Sequence, residues 1–94
     1  MSETILLARA CVPKDLKGAG VVFSDSYIEV ECQDDGYKIT VKKDARVIQA
    51  ERWVLVTFQG TARMRPLAGI YVYRTKGLVI RRYGNDRQYL VAFR

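Results

Sequence analysis

Residues 70–94 read IYVYRTKGLVIRRYGNDRQYLVAFR, and the fold is decided by how this stretch pairs with itself. Ile70–Arg74 and Leu78–Tyr83 are rich in β-branched and aromatic residues and flank Thr75-Lys76-Gly77. That pattern predicts a hairpin with a three-residue loop and Gly where positive φ is needed. Pairing Arg74 with Leu78 sets Tyr73 opposite Val79, Val72 opposite Ile80, Tyr71 opposite Arg81 and Ile70 opposite Arg82. Side chains alternate across a strand. Ile70, Val72, Leu78 and Ile80 then make a core face, and Tyr71, Tyr73, Arg81 and Tyr83 make the other. Gly84-Asn85-Asp86 turns the chain into Gln88–Phe93, whose register has two solutions. A three-residue loop adds Arg87 and Tyr89 to the tyrosine face. A two- or four-residue loop sends Tyr89, Val91 and Phe93 into the core.

The same reading runs outward through the rest of the chain. Tyr27–Cys32 and Tyr37–Lys42 are joined by Gln33-Asp34-Asp35-Gly36, a clear turn signal. With Cys32 opposite Tyr37, Val30 meets Ile39 and Ile28 meets Val41 on one face. Glu31 meets Lys38, Glu29 meets Thr40 and Tyr27 meets Lys42 on the other. Such charge-complementary pairs contribute roughly 0.2–1 kcal/mol each, so this hairpin reads as structural. Val21–Phe23 is a further β-rich run. Residues 3–12 fit either a strand ended by Pro13 or a turn or two of helix. Arg46–Ala50 and Arg52–Phe58 fit two short strands or one bulged strand with both faces apolar. Trp53, the single tryptophan, is expected in the core. Arg63-Met64-Arg65-Pro66-Leu67-Ala68-Gly69 reads as an irregular basic loop or edge.

These elements predict one all-β domain over residues 1–94. It should hold six to eight short strands, as a small barrel (OB-like or SH3-like) or a compact antiparallel sandwich, with at most one short helix. A 94-residue chain buries a limited fraction of its surface, so a partner or a second copy would help it.

The net charge of +6 is unevenly placed. Residues 1–47 carry seven basic and eight acidic side chains, whereas residues 48–94 carry nine basic and two acidic. Eight of those nine are Arg, whose planar fork grips phosphate or carboxylate and stacks on aromatic rings. This asymmetry points to a polyanionic partner. Cys11 and Cys32 have no metal-ligand spacing and are expected as buried free thiols. The N-terminal run MSETILLARACV has no basic region ahead of its apolar residues, and nothing reaches transmembrane length. The expected location is cytoplasmic, away from membranes.

Histidine is absent, and with it the commonest general base and metal ligand. Gly18-Ala19-Gly20 lacks the spacing of a phosphate-binding loop. Asp34-Asp35, Asp25 and Asp44 read as turn and loop residues. The sequence therefore predicts a non-enzymatic protein with no cofactor and no metal. Aromatic rings and guanidinium groups on one sheet face are the ingredients for binding single-stranded nucleic acid, DNA or RNA. The expected binding residues are Tyr71, Tyr73, Arg81 and Tyr83, with Arg63, Arg65 and Arg87 from the loops. Tyr and Arg are also enriched at the energetic centres of protein interfaces. The alternative is a small interaction or assembly protein: a homo-oligomer subunit, or an inhibitor of a larger acidic partner.

Overall fold

In a computed structural model that describes residues 4–58, 69–83 and 88–93, every regular element is a β-strand. The chain divides into two compact units, Met1–Asp44 and Ala45–Arg94, and each builds one antiparallel sheet. The all-β class is as expected, with nine strands among the described residues rather than six to eight. Neither sheet closes into a barrel: in each, the two outermost strands pair on one side only.

The first unit contains β1 (Thr4–Ala8), β2 (Gly20–Ser24), β3 (Ile28–Cys32) and β4 (Tyr37–Val41), in the order β1-β4-β3-β2. Residues 4–8 thus resolve as strand, because β4 offers them a five-residue antiparallel partner. The β3–β4 pairing is the one read from sequence: Cys32 faces Tyr37, Val30 faces Ile39 and Ile28 faces Val41. Those six side chains are all at most 1% exposed. Glu29, Glu31, Lys38 and Thr40 form the opposite, half-buried face. Asp25 starts the hairpin in its expected turn role, its Oδ1 accepting hydrogen bonds from the backbone N–H of Tyr27 (2.7 Å) and Ile28 (2.9 Å). Gly36 is required for a different reason. A Cβ there would collide with the carbonyl oxygen of Ala8, so glycine lets the end of β1 lie against the β3–β4 turn. Cys32 is a buried free thiol, as expected. Burial, helped by the neighbouring Glu31 carboxylate, pushes its thiol pKa up. Cys11 differs from expectation: β1 ends at Ala8, and Cys11 lies in the exposed connection beyond it.

The second unit contains β5 (Arg46–Gln49), β6 (Trp53–Thr57), β7 (Gly69–Arg74), β8 (Leu78–Tyr83) and β9 (Gln88–Phe93), in the order β5-β6-β9-β8-β7. Residues 46–58 form two strands rather than one bulged strand. They break at Glu51-Arg52, where Ala50 N–H donates to the Trp53 carbonyl at 2.8 Å. Tyr83 pairs with Gln88, so four residues separate β8 from β9. That selects the second register for the last strand, with Tyr89, Val91 and Phe93 on the core face at 1%, 0% and 5% exposure. Val54, Val56, Leu78 and Ile80, each fully buried, belong to the same face. Phe58 meets Tyr89 edge-on, with ring centroids 5.7 Å apart, the geometry that sets a ring's positive edge against a negative face.

Candidate functional site

The reverse face of the second sheet carries the residues singled out by sequence. Pairing partners in adjacent strands share a face, so the registers place every side chain on it in rows. One row runs Trp53, Ala92, Val79, Arg74 from β6 to β7. The next runs Ile48, Leu55, Leu90, Arg81, Tyr71. The third runs Arg46, Thr57, Gln88, Tyr83, Gly69. None of these described residues is acidic. They lie in a unit whose 50 residues carry ten basic and two acidic side chains, a net charge of +8.

A bulge in β7 decides who joins this face. Tyr71 pairs with Arg81, as the sequence predicts, but the register shifts between Tyr71 and Tyr73. Tyr73 then pairs with the fully buried Ile80, and Arg74 pairs with Val79. A one-residue shift exchanges the two faces of a strand. Tyr73 therefore leaves the tyrosine face for the core side, and Arg74 takes its place beside Tyr71. The cause lies at the turn. Thr75 N–H donates to the Leu78 carbonyl at 2.8 Å, so the loop is the two residues Lys76-Gly77 instead of three. The Thr75 hydroxyl braces it, accepting from the N–H of Gly77 (3.3 Å) and of Leu78 (3.1 Å). Gly77 does not adopt the positive φ expected of it; among the described residues Gly18 and Gly20 do.

The guanidinium groups are arranged around the Tyr71 ring. The central guanidinium carbons of Arg74 and Arg81 each lie 4.9 Å from its centroid. Arg81 is also 5.7 Å from the centroid of the Tyr83 ring. Tyr83 differs from expectation in being buried, at 4% exposure. It lies across Gly69, where a Cβ would come within 2.6 Å of its ring. It is a support under Arg81 rather than an open platform. Cation–π contacts contribute ~0.5–1 kcal/mol when exposed and about 2 when desolvated. The Nε of Arg81 is buried without a hydrogen-bond partner, which costs about 1–3 kcal/mol. The two effects are of similar size, so Arg81 gains little net stability where it stands. Neither Arg74 nor Arg81 forms an ion pair with a carboxylate among the described residues.

Of the residues expected at the site, the structure brings together Tyr71, Arg81 and Tyr83, and it turns Tyr73 away. Arg63, Arg65 and Arg87 lie outside the described residues. Sequence reasoning missed Arg74 and Trp53. Trp53 is not in the core: it is 38% exposed, on the same face as Tyr71, which is 49% exposed. Both alternating faces of Trp53–Phe58 are apolar, so periodicity alone could not say which one is covered. Ile48, at 48% exposure, is the other open apolar side chain on this face. Gln88 is fully buried, donating from Nε2 to the Thr57 hydroxyl at 3.0 Å, while its Oε1 has no partner.

Among the described residues no group of three or more Cys, Asp or Glu side chains is placed to hold a metal ion, and no helix is long and apolar enough to cross a membrane. Comparison with models of protein families, with curated proteins and with solved structures finds no match to this chain.

Proposed function

We propose that this protein is a non-enzymatic binding module for nucleic acid, preferentially single-stranded, and that the β7 edge of the reverse face of the β5–β9 sheet, around Tyr71, is its binding surface. The observation that carries the reading is the Arg74–Tyr71–Arg81 cluster: a half-exposed ring with two guanidinium carbons each 4.9 Å from its centroid, on a face without a described carboxylate. Tyr71 offers a surface on which a base can stack, and Arg74 and Arg81 neutralise phosphates. Tyr83 holds Arg81 from beneath. Stacking contributes roughly 1–3 kcal/mol per base, and phosphate neutralisation adds a salt-dependent part.

A second reading, a protein-interaction surface, draws on one specific observation. Trp53 and Ile48 are exposed on the same face, and Trp, Tyr and Arg are the residues most often found at interface hot spots. Titration of an unstructured oligonucleotide, run beside a sizing measurement, separates the two. Affinity that falls steeply with salt and is lost in Tyr71→Ala and Arg81→Glu supports the first. No affinity for the oligonucleotide, with a concentration-dependent dimer broken by the same substitutions, refutes the first and supports the second.

A further inference from the structure

The Arg74–Tyr71–Arg81 cluster is open in one direction only. On the reverse face between β7 and β5, Val79, Tyr83, Gln88, Thr57 and Leu55 are each at most 7% exposed, which closes the way across the sheet. Along β7 the opposite holds. Tyr71 is 49% exposed, and Ile70, on the other face of the strand, is 60% exposed. Arg74 and Lys76 are exposed further along, toward and at the hairpin tip. No described strand pairs with β7 on its outer side.

The backbone of that edge is also directed outward. Thr75 N–H donates to the Leu78 carbonyl, and bonding to one neighbour alternates along an antiparallel strand. On β8, Leu78, Ile80 and Arg82 therefore bond to β7, and their partners Ile70 and Tyr73 turn their peptide groups inward. Gly69, Tyr71 and Arg74 pair with Tyr83, Arg81 and Val79, and turn theirs outward. Outward N–H groups at a sheet edge are donors for an anion. Residues 69–83 contain Arg74, Lys76, Arg81 and Arg82 and no carboxylate.

We infer that the bound single strand runs along β7 instead of across the sheet, from Tyr71 past Arg74 to the hairpin tip, and that Lys76 holds a phosphate there. This rests on the proposed nucleic-acid function and gives the ligand a path. Charge complementarity selects the occupant: the tip adds a third cation to Arg74 and Arg81, and the outward N–H groups of Tyr71 and Arg74 supply neutral donors beside them. A strand rises ~3.3 Å per residue, so Tyr71 to Lys76 spans at most ~17 Å. That covers at most about five nucleotides, even at the ~3.4 Å per phosphate of a helically stacked strand.

The test titrates the full chain with oligothymidylate of about eight nucleotides, longer than the proposed contact, at several salt concentrations. It compares wild type with Lys76→Gln and with Arg46→Gln, which removes an exposed cation from β5, beyond the closed part of the same face. Lys76→Gln should make the slope of log K against log salt shallower by about 0.7, and Arg46→Gln should leave slope and affinity unchanged. In the wild type, the backbone amide resonances of Tyr71 and Arg74 should shift on titration. An unchanged slope in Lys76→Gln, or a slope made shallower by Arg46→Gln, would overturn the path while leaving the proposed function in place. Amide resonances of Tyr71 and Arg74 that stay fixed at saturation would overturn it as well. Absence of any oligonucleotide binding by the wild-type chain would remove both.

Discussion

Gly69→Ala probes the support on which Arg81 rests. A Cβ built at Gly69 lies 2.6 Å from Cε1, 3.0 Å from Cζ and 3.1 Å from Cδ1 of Tyr83. Carbon atoms in contact prefer about 3.5–4.0 Å, so the ring must retreat by about 1 Å. Tyr83 is 4% exposed, which leaves it little room to do so. Overpacking of this kind costs ~1–3 kcal/mol. Replacing glycine also stiffens the unfolded chain, which favours folding by about 0.4–1 kcal/mol. The net expectation is a loss of about 0.5–2 kcal/mol. Urea unfolding followed by circular dichroism measures it, with the midpoint falling and the slope unchanged. Combining the change with Tyr83→Leu removes the obstructed ring atoms, so Gly69→Ala should become neutral or mildly stabilising in that background, a coupling of ~1–2 kcal/mol. An equal cost in both backgrounds, or a stabilised single variant, would refute the packing of Tyr83 on Gly69. It would also remove the support proposed for Arg81.

Two further predictions concern buried groups. Thr57→Val should destabilise the protein by about 1–3 kcal/mol, because it strips the Gln88 amide of the Thr57 hydroxyl while Oε1 already lacks a partner. Adding Gln88→Leu should recover most of that loss; urea midpoints that fall further in the double variant would contradict the assignment. Cys11 should react with a thiol reagent in the native protein, whereas Cys32 should react only on unfolding. The pKa of Cys32 is raised in the folded state, so the native chain keeps a proton that the unfolded chain gives up. Its contribution is present below the unfolded thiol's pKa, about 8.5, and is lost as pH rises through that value toward the folded pKa. Stability measured across that range should decline less in Cys32→Ala than in wild type; identical declines would show that folding leaves the thiol's pKa unchanged and would contradict its burial.

The parts legible from sequence were those in which local turn chemistry and alternation agree. Asp34-Asp35-Gly36 between two cleanly alternating runs permits only one face of β3–β4 to be buried, and its register followed residue for residue. The last strand was open because Gly84-Asn85-Asp86 suits loops of several lengths, and only the Tyr83–Gln88 pairing chooses between them. At β7 the sequence carried a strong pattern that the structure overrides. Tyr71 and Tyr73 alternate with Ile70 and Val72, yet a two-residue turn braced by Thr75 forces a bulge that exchanges Tyr73 for Arg74. A bulge adds a residue without changing composition, so no periodicity could announce it. Trp53 was misplaced for a related reason. Residues in an apolar strand report that it is covered on both sides, and say nothing of where along its length the cover ends.

The central claim is that the guanidinium cluster around the exposed Tyr71 ring, at the β7 edge of the sheet, binds the backbone of a single strand. It is tested most directly by the salt dependence of oligonucleotide affinity in the wild type and in the Arg74→Gln, Arg81→Gln double variant. Each phosphate neutralised on a single strand contributes about −0.7 to the slope of log K against log salt, so the account predicts a slope shallower by about 1.4 in the double variant, with affinity lower at every salt concentration. A slope that is unchanged, or a wild-type protein with no affinity to titrate, would contradict it.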